Sequence, residues 1–227
     1  ASDVYKRQAH NADMNSCSAL TVEGQTVKGK TADGEFAISF NNGKMQTWTY
    51  NGKALIAEGP DFNSYRKVDN DRNFRPTFSN SASVSVSGAL AKSGDNATMS
   101  VKGRANACQY TIDYTFYPDG VVDMKVTFSP SASLARMGLG MQFAAGFEDV
   151  EYYARGPWSN YADRKTGSMI GRYQTTVDDM VDEMLHPQTY GDHQDMRSLT
   201  LRNNSVPGQP LSLNIEADGQ AAFSLGH

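Results

Sequence analysis

Cysteine is nearly missing from this sequence. The 227 residues contain two, Cys17 and Cys108, too few for a disulfide scaffold and without the close spacing of a metal site. The sequence leaves their pairing open, and the poorly patterned surroundings of Cys17 weigh against it. A basic excess is also lacking: 21 Lys plus Arg stand against 25 Asp plus Glu, a net charge of −4. A duplex-binding protein carries the opposite balance, so no nucleic-acid partner is expected. No apolar run approaches the ~18 residues of a membrane span, and no charged segment followed by an apolar one opens the chain. A membrane partner is therefore not expected, and the cellular compartment stays unassigned. Glycine-rich phosphate loops, a nucleophile elbow and paired histidines at metal spacing are all missing, so no metal or cofactor is assigned to this chain.

What is present is an apolar fraction of 39% with 10% aromatic residues, which excludes a wholly disordered chain. The first ~30 residues are polar and lack a sustained period, and residues 1–34 read as a leader or linker. From Glu35 the period becomes two. Phe36, Ile38 and Phe40 alternate with smaller residues, Asn41-Asn42-Gly43 interrupts, and Met45 to Tyr50 resumes. Asn-Gly between two such runs is a strong hairpin signal, because both central residues of a type I′ turn need positive φ. A second one, Asn51-Gly52, predicts a third strand.

Further alternation covers Ser83–Gly88, Ala97–Lys102 and Gln109–Tyr117, the last with Tyr110, Ile112, Tyr114 and Phe116 on one face. Pro118-Asp119-Gly120 turns that strand into Val121–Phe128, with Val122, Met124, Val126 and Phe128 on one face. Leu211, Leu213 and Ile215 alternate again, and Asp218-Gly219 separates them from Ala221–Leu225. About ten strand candidates at turn-marked intervals predict an all-β antiparallel sandwich with at most one or two short helices. The helical exception is Val177, Met180, Val181, Met184 and Leu185, at i, i+3, i+4, i+7 and i+8, with Thr176 and Asp179 resembling a capping box. Its first turn is the firmer expectation, and His186-Pro187 would stop it.

Two stretches are dense in polar and aromatic groups. One is Tyr65–Arg72, whose carboxylates and amide suit either a solvated Asx-turn loop or contacts to sugar hydroxyls. The other runs from Tyr152 through Arg155-Gly156-Pro157-Trp158-Ser159-Asn160-Tyr161-Ala162-Asp163-Arg164 to Gly167. It reads as a structural corner with Arg–Asp pairing or as a sugar-binding loop. A bidentate Arg155–Asp163 pair is expected to hold it. His186 and His193 flank a Pro/Gly loop that contains Pro187, Gln188 and Gly191.

The second stretch closely resembles the arginine-glycine-proline…asparagine-tyrosine-proline-aspartate-arginine signature of bacterial β-galactosidases in glycoside hydrolase family two. Arg66 with Asp69-Asn70-Asp71, the segment Leu134–Gly138, and Pro187-Gln188 through Gly191 and His193 to Arg197 resemble three more family motifs in the right order. Together they cover roughly Glu35 to His227. The resemblance is to the C-terminal small-chain domain of those enzymes. It implies a domain at 35–227, C-terminally incomplete, with a galactose mutarotase-like antiparallel supersandwich.

The resemblance further implies that the catalytic carboxylates lie in a preceding TIM barrel of the same polypeptide. That barrel would be the principal partner and would hold most of the family's magnesium and sodium ligands. This chain would complete the active-site mouth, be inactive alone, and bind a galactoside weakly if at all. Arg66, Asp69, Asn70, Asp71 and His193 are then expected to face the substrate. Arg155, Gly156, Pro157, Asn160, Tyr161, Asp163, Arg164, Pro187, Gln188, Gly191 and Arg197 are expected to form the structural signature. Departures are Ser159 and Thr189 where the family favours glutamate, Ala162 in place of proline, and one residue fewer between Arg66 and Asp69. The alternatives are a free-standing galactose-binding module and an epimerase, which needs a His acid and a Glu base. No glutamate stands out for the second.

Overall fold

The computed structural model describes residues 10–64, 82–86, 89–105, 107–134, 136–182 and 190–227. Among the described residues there are sixteen strands and one 3-10 turn, and every strand pairing between them is antiparallel. The all-β antiparallel expectation therefore holds. The described residues divide into two compact units, His10–Ala144 and Ala145–His227, each taken by itself below.

In the first unit, β1 (Thr21–Glu23), β2 (Thr26–Lys30), β3 (Glu35–Asn41), β4 (Lys44–Tyr50) and β5 (Lys53–Ala54) form one sheet in sequential order. Both Asn-Gly turns are as expected: Asn42 and Gly43 have φ of 48° and 77°, and Asn51 and Gly52 have 48° and 73°. Phe36, Ile38 and Phe40 are buried on the inner face of β3. The segment read as a leader differs from that reading, because β1 and β2 lie within it and Leu20 and Val27 are fully buried.

A second sheet holds β7 (Ala82–Val86), β8 (Ala91–Ser93), β9 (Asn96–Ala105), β10 (Cys108–Phe116) and β11 (Val122–Pro130). Its order is β11-β10-β9-β7, with β8 also on β9. The two sheets face each other through aromatic rings. Phe40 meets Tyr114 and Phe116 edge-on, at centroid distances of 5.4 and 5.8 Å. β6 (Ile56–Asn63) pairs with β12 (Gly138–Phe143), and its Phe62 stacks on Tyr110 at 5.3 Å. Burying this much ring surface is the main stabilising term of the unit. The β11 face is only partly covered: Met124 is exposed, while Phe128 reaches Phe62 at 5.9 Å. Cys17 and Cys108 are both free thiols.

Two rings fill the space of a missing side chain on the neighbouring strand. Phe36 pairs with Gly29, and Tyr110 pairs with Gly103. A Cβ on Gly103 would lie 2.0 Å from the Tyr110 ring. That ring cannot yield freely, because its hydroxyl donates to Asp61 Oδ1 at 3.2 Å and its other contact is Phe62. Burial, with the Asp61 carboxylate beside it, pushes the Tyr110 pKa up, so the phenol stays protonated and remains a donor.

The second unit is one sheet of β13 (Phe147–Gly156), β14 (Met169–Thr176), β15 (His193–Asn203) and β16 (Leu211–Phe223), ordered β14-β13-β15-β16. Phe147, Val150, Tyr152, Ala154, Met196, Leu199, Leu201, Leu213 and Phe223 are among its buried apolar side chains. Asp218-Gly219, expected to be a turn between two strands, sits inside β16. Gly219 takes φ of 84° in an irregularity where Met196 pairs with Ala221 but Ser198 already pairs with Glu216. The expected helix is a single 3-10 turn, Asp178–Met180, and the backbone is extended again at Val181. The capping-box residues do meet, since Asp179 N donates to Thr176 Oγ1 at 3.2 Å. His186 and the later helix positions Met184 and Leu185 lie outside the described residues.

Gly103→Ala is expected to destabilise the chain by about 1–3 kcal/mol through overpacking against Tyr110. Thermal unfolding of the variant checks this, and an unchanged midpoint would contradict the ring-over-glycine packing.

Candidate functional site

The candidate site is the corner where β13 leaves the sheet. Gly156 ends that strand and joins Pro157 through a cis peptide. Glycine is required by close approach: a Cβ at 156 would lie 2.6 Å from the Tyr152 hydroxyl and 2.9 Å from the Tyr173 ring. Tyr152 donates to Pro157 O at 3.3 Å, and Tyr173 donates toward Met169 O at 2.9 Å and Gly156 O at 3.1 Å. Burial first, and Tyr173 second, push the Tyr152 pKa up to about 12, so the hydroxyl acts as a donor.

Beyond Pro157 the loop is tied by Asn160, whose residue exposure is 0%. Its Nδ2 donates to Arg155 O at 3.1 Å and Trp158 O at 3.0 Å, and its Oδ1 accepts from Gln194 N at 3.0 Å. Its backbone N–H donates to Asp192 O at 2.7 Å. A fully buried amide must satisfy its polar atoms within the protein, and this one does so by joining the corner to the start of β15.

Arg155 is the second tie, and its partner differs from the expectation. Its Nε donates to Asp195 Oδ2 at 2.5 Å, and its Nη1 donates to Ser168 O at 2.9 Å and Lys165 O at 3.3 Å. Lys165 Nζ occupies the other Asp195 oxygen at 2.6 Å, and Arg197 Nη1 donates to Asp195 O at 2.8 Å. Asp163, the expected partner, is exposed. It lies in a small turn closed by Arg164 N to Tyr161 O at 2.9 Å, with the Arg164 guanidinium 5.9 Å from the Tyr161 ring centroid. The physical reason is reach: the turn carries Asp163 outward, whereas a left-handed residue in β15, Asp195 at φ 58°, carries its carboxylate to Arg155. Burial would raise the Asp195 pKa, but the hydrogen bonds from Lys165 and Arg155 outweigh it and hold the carboxyl below its usual range.

His193, expected to face substrate, is 3% exposed. It stacks on Phe223 at 5.2 Å, lies 4.9 Å from the Tyr152 ring, and its Nδ1 donates to Arg155 O at 2.9 Å. A carbonyl only accepts, so Nδ1 carries the proton. Burial pushes its pKa down, against the opposing effects of that hydrogen bond and of Asp182 and Asp192. Gly191 precedes it at φ 77°, and the Arg197 guanidinium lies 5.3 Å from the Tyr153 ring centroid. Arg155, Gly156, Pro157, Asn160, His193 and Arg197 are therefore brought together or joined through Asp195, whereas Gly191 lies against the carbonyls of Met180 and Leu225. Arg66, Asp69, Asn70, Asp71, Pro187 and Gln188 lie outside the described residues.

Sequence reasoning missed Asp195, which is 40 residues from Arg155 and outside the loop where a partner was sought. It also missed Lys165 as a ligand of the same carboxylate. Among the described residues no three His, Cys, Asp or Glu side chains gather to hold a metal ion. As built, the corner organises a loop rigidly.

Two outcomes follow. Asp195→Ala leaves Arg155 and Lys165 without their shared carboxylate. Because the Asp195 and Arg155 side chains remain 17% and 25% exposed, the loss is expected at about 1–3 kcal/mol, below that of a fully buried pair. The native Asp195 pKa is depressed from 3.8, so its contribution is complete above that value and lost as the pH falls through the native one. The acid limb of the unfolding curve should thus be shallower in Asp195→Asn. For His193 the depressed pKa favours the neutral ring in the folded state. Its contribution is complete above 6.5 and declines as the pH falls below it. An NMR titration should give a His193 midpoint below 6.5, and a midpoint above it would contradict the burial.

The family profile described as "Beta galactosidase small chain" matches residues 30–226. The β-galactosidase of Halalkalibacterium halodurans is 25% identical over 226 residues, covering 90% of this chain and 22% of that protein. The β-galactosidase BgaC of Bifidobacterium adolescentis is 23% identical over 87% of this chain and 21% of its own length. The β-galactosidase of Priestia megaterium is 34% identical over a shorter stretch, 43% of this chain and 10% of that protein. The chain spans about a fifth of the length of the first and second of these relatives. With a profile match that runs through both units and the whole signature corner, the chain belongs to the β-galactosidase small-chain family.

Proposed function

We propose that this chain is the C-terminal β-sandwich domain of a retaining β-galactosidase that hydrolyses terminal, non-reducing β-D-galactose residues. In this reading it completes the mouth of the active site and supplies no catalytic carboxylate. The observation that carries it is the family match over residues 30–226 in a chain about a fifth as long as its relatives.

The chemistry of the described carboxylates supports the division of labour. A retaining glycosidase needs two carboxyl groups ~5–5.5 Å apart, one of them protonated near neutral pH through a raised pKa. Two carboxylates of the second unit are shifted the other way. Asp195 is held low by Lys165 and Arg155, and Glu151 is held low by the hydrogen bond from Arg202, 2.8 Å away. Groups locked ionised in this way cannot serve as the general acid. The acid and nucleophile belong, in this proposal, to a preceding barrel of the same polypeptide, as do most ligands of its magnesium and sodium. The loop Arg66–Arg72, with Asp69, Asn70 and Asp71, borders the mouth and offers acceptors to sugar hydroxyls.

The isolated chain is expected to show no turnover of a nitrophenyl β-galactoside and to bind galactose at ~mM affinity or weaker. The polypeptide expressed from its full reading frame is expected to hydrolyse the same substrate. Turnover by the homogeneous isolated chain that disappears on replacing one of its own Asp or Glu residues would overturn the proposal.

A further inference from the structure

We infer that Asp61 is a positioning residue for the substrate loop: clamped by Lys44 and Tyr110, it fixes where the chain leaves β6 and so where Arg66 stands at the sugar. The inference rests on the reading that this chain completes the mouth of a β-galactosidase and that Arg66 faces the substrate there. The loop 66–72 lies outside the described residues, but the strand end from which it departs does not.

Three donors share the Asp61 carboxylate. The Tyr110 hydroxyl and the Phe62 backbone N–H donate to Oδ1 at 3.2 and 2.9 Å, and Lys44 Nζ pairs with Oδ2. Tyr110 belongs to β10 and Lys44 opens β4, so strands of two different sheets close on one side chain of β6. Tyr110 is 3% exposed and stacked on Phe62, which holds its hydroxyl in place. Just before the clamp β6 presses on β4, where a Cβ on Gly59 would lie 2.3 Å from Met45 O. Just after it, Phe62 and Asn63 pair with Leu139 and Gly138 of β12, and Ser64 is buried.

The place of the clamp gives it a role beyond joining two sheets. Arg66 follows Ser64 by two residues, so its Cα lies within about 7 Å of that of Ser64. Asp69 follows by five and can range over about 17 Å. Arg66 is thus the substrate-facing side chain whose place depends most on the strand end. A guanidinium donates through a fixed planar fork, and a displacement of about 1 Å is enough to misalign a positioning group. Loosening Asp61 spreads Arg66 over more positions, at an ordering cost paid on binding, without removing any group that touches the sugar.

The test uses Tyr110→Phe and Lys44→Met, each of which removes one donor and leaves the other. Val27→Ala, a truncation of a fully buried side chain in β2, is the control for lost stability alone. In the polypeptide from the full reading frame, both clamp variants are expected to raise KM for a nitrophenyl β-galactoside about two- to tenfold, with kcat unchanged. Val27→Ala is expected to leave KM unaltered. In the isolated chain, hydrogen exchange of the peptide spanning 65–72 is expected to quicken in both clamp variants and not in the control. A wild-type KM in both clamp variants would overturn the positioning role, as would an equal rise of KM in Val27→Ala. The exchange measurement keeps the two readings apart. Quickened exchange beside a longer polypeptide that hydrolyses no galactoside sinks the enzyme reading and keeps the anchor. Unaltered exchange beside an active polypeptide does the reverse.

Discussion

The corner of the second unit depends on one residue using both of its polar ends. The carbonyl of Arg155 accepts from Asn160 Nδ2 and from His193 Nδ1, and its guanidinium reaches Asp195, Ser168 O and Lys165 O. Neither lone pair of that carbonyl is left for water, and three segments distant in sequence converge on a single backbone position. The loop from Pro157 to Ser168, the start of β15 and the end of β13 are therefore held as one piece. A charge-assisted bond at a partly buried site contributes more than a surface ion pair, which is why this arrangement can fix a long polar loop without apolar packing of its own.

The first unit reaches rigidity by other means. Its two sheets are joined by rings, and the rings are positioned by absence: Gly29 and Gly103 leave room for Phe36 and Tyr110 to lie flat across the neighbouring strand. Tyr110 shows how closely polar and apolar demands can be combined. One face of its ring stacks on Phe62 while the hydroxyl ends on Asp61, which Lys44 also pairs with. A phenylalanine there would keep the stacking and leave Asp61 with one donor fewer.

Much of this was legible in the sequence, and the missing parts have physical causes. The β3–β4 hairpin and the β10–β11 pair announced themselves through alternation and through turns that need positive φ, and Gly120 at φ 87° closes the second of them. β2 did not, because one of its two inward positions is Gly29, and the apolar volume that fills that position belongs to Phe36 on the next strand. Period-two reading sees only residues, not the rings that reach over them. The signature corner was legible as a polar loop that leaves an alternating strand, and the structure ties it through Arg155 and Asn160. Its wiring was not: spacing within a loop suggested Asp163, but the carboxylate that answers Arg155 is set by a left-handed residue far along the chain. His193 was expected to face substrate, yet a histidine's neighbours decide whether it meets solvent, and here they are Tyr152 and Phe223.

The irregularity at Gly219 has a meaning for the edge of the second sheet. β16 is thirteen residues long and occupies one end of the strand order. A flat strand of that length offers a row of backbone donors and acceptors to any passing chain, the geometry from which cross-strand aggregates grow. The register break between Met196 and Ser198, with Gly219 in the left-handed region, interrupts that row near its middle and twists the two halves apart. Replacing the glycine would disturb more than a local backbone angle. It would straighten a strand that the sequence keeps crooked and lengthen the regular row of backbone donors and acceptors at this end of the described strand order.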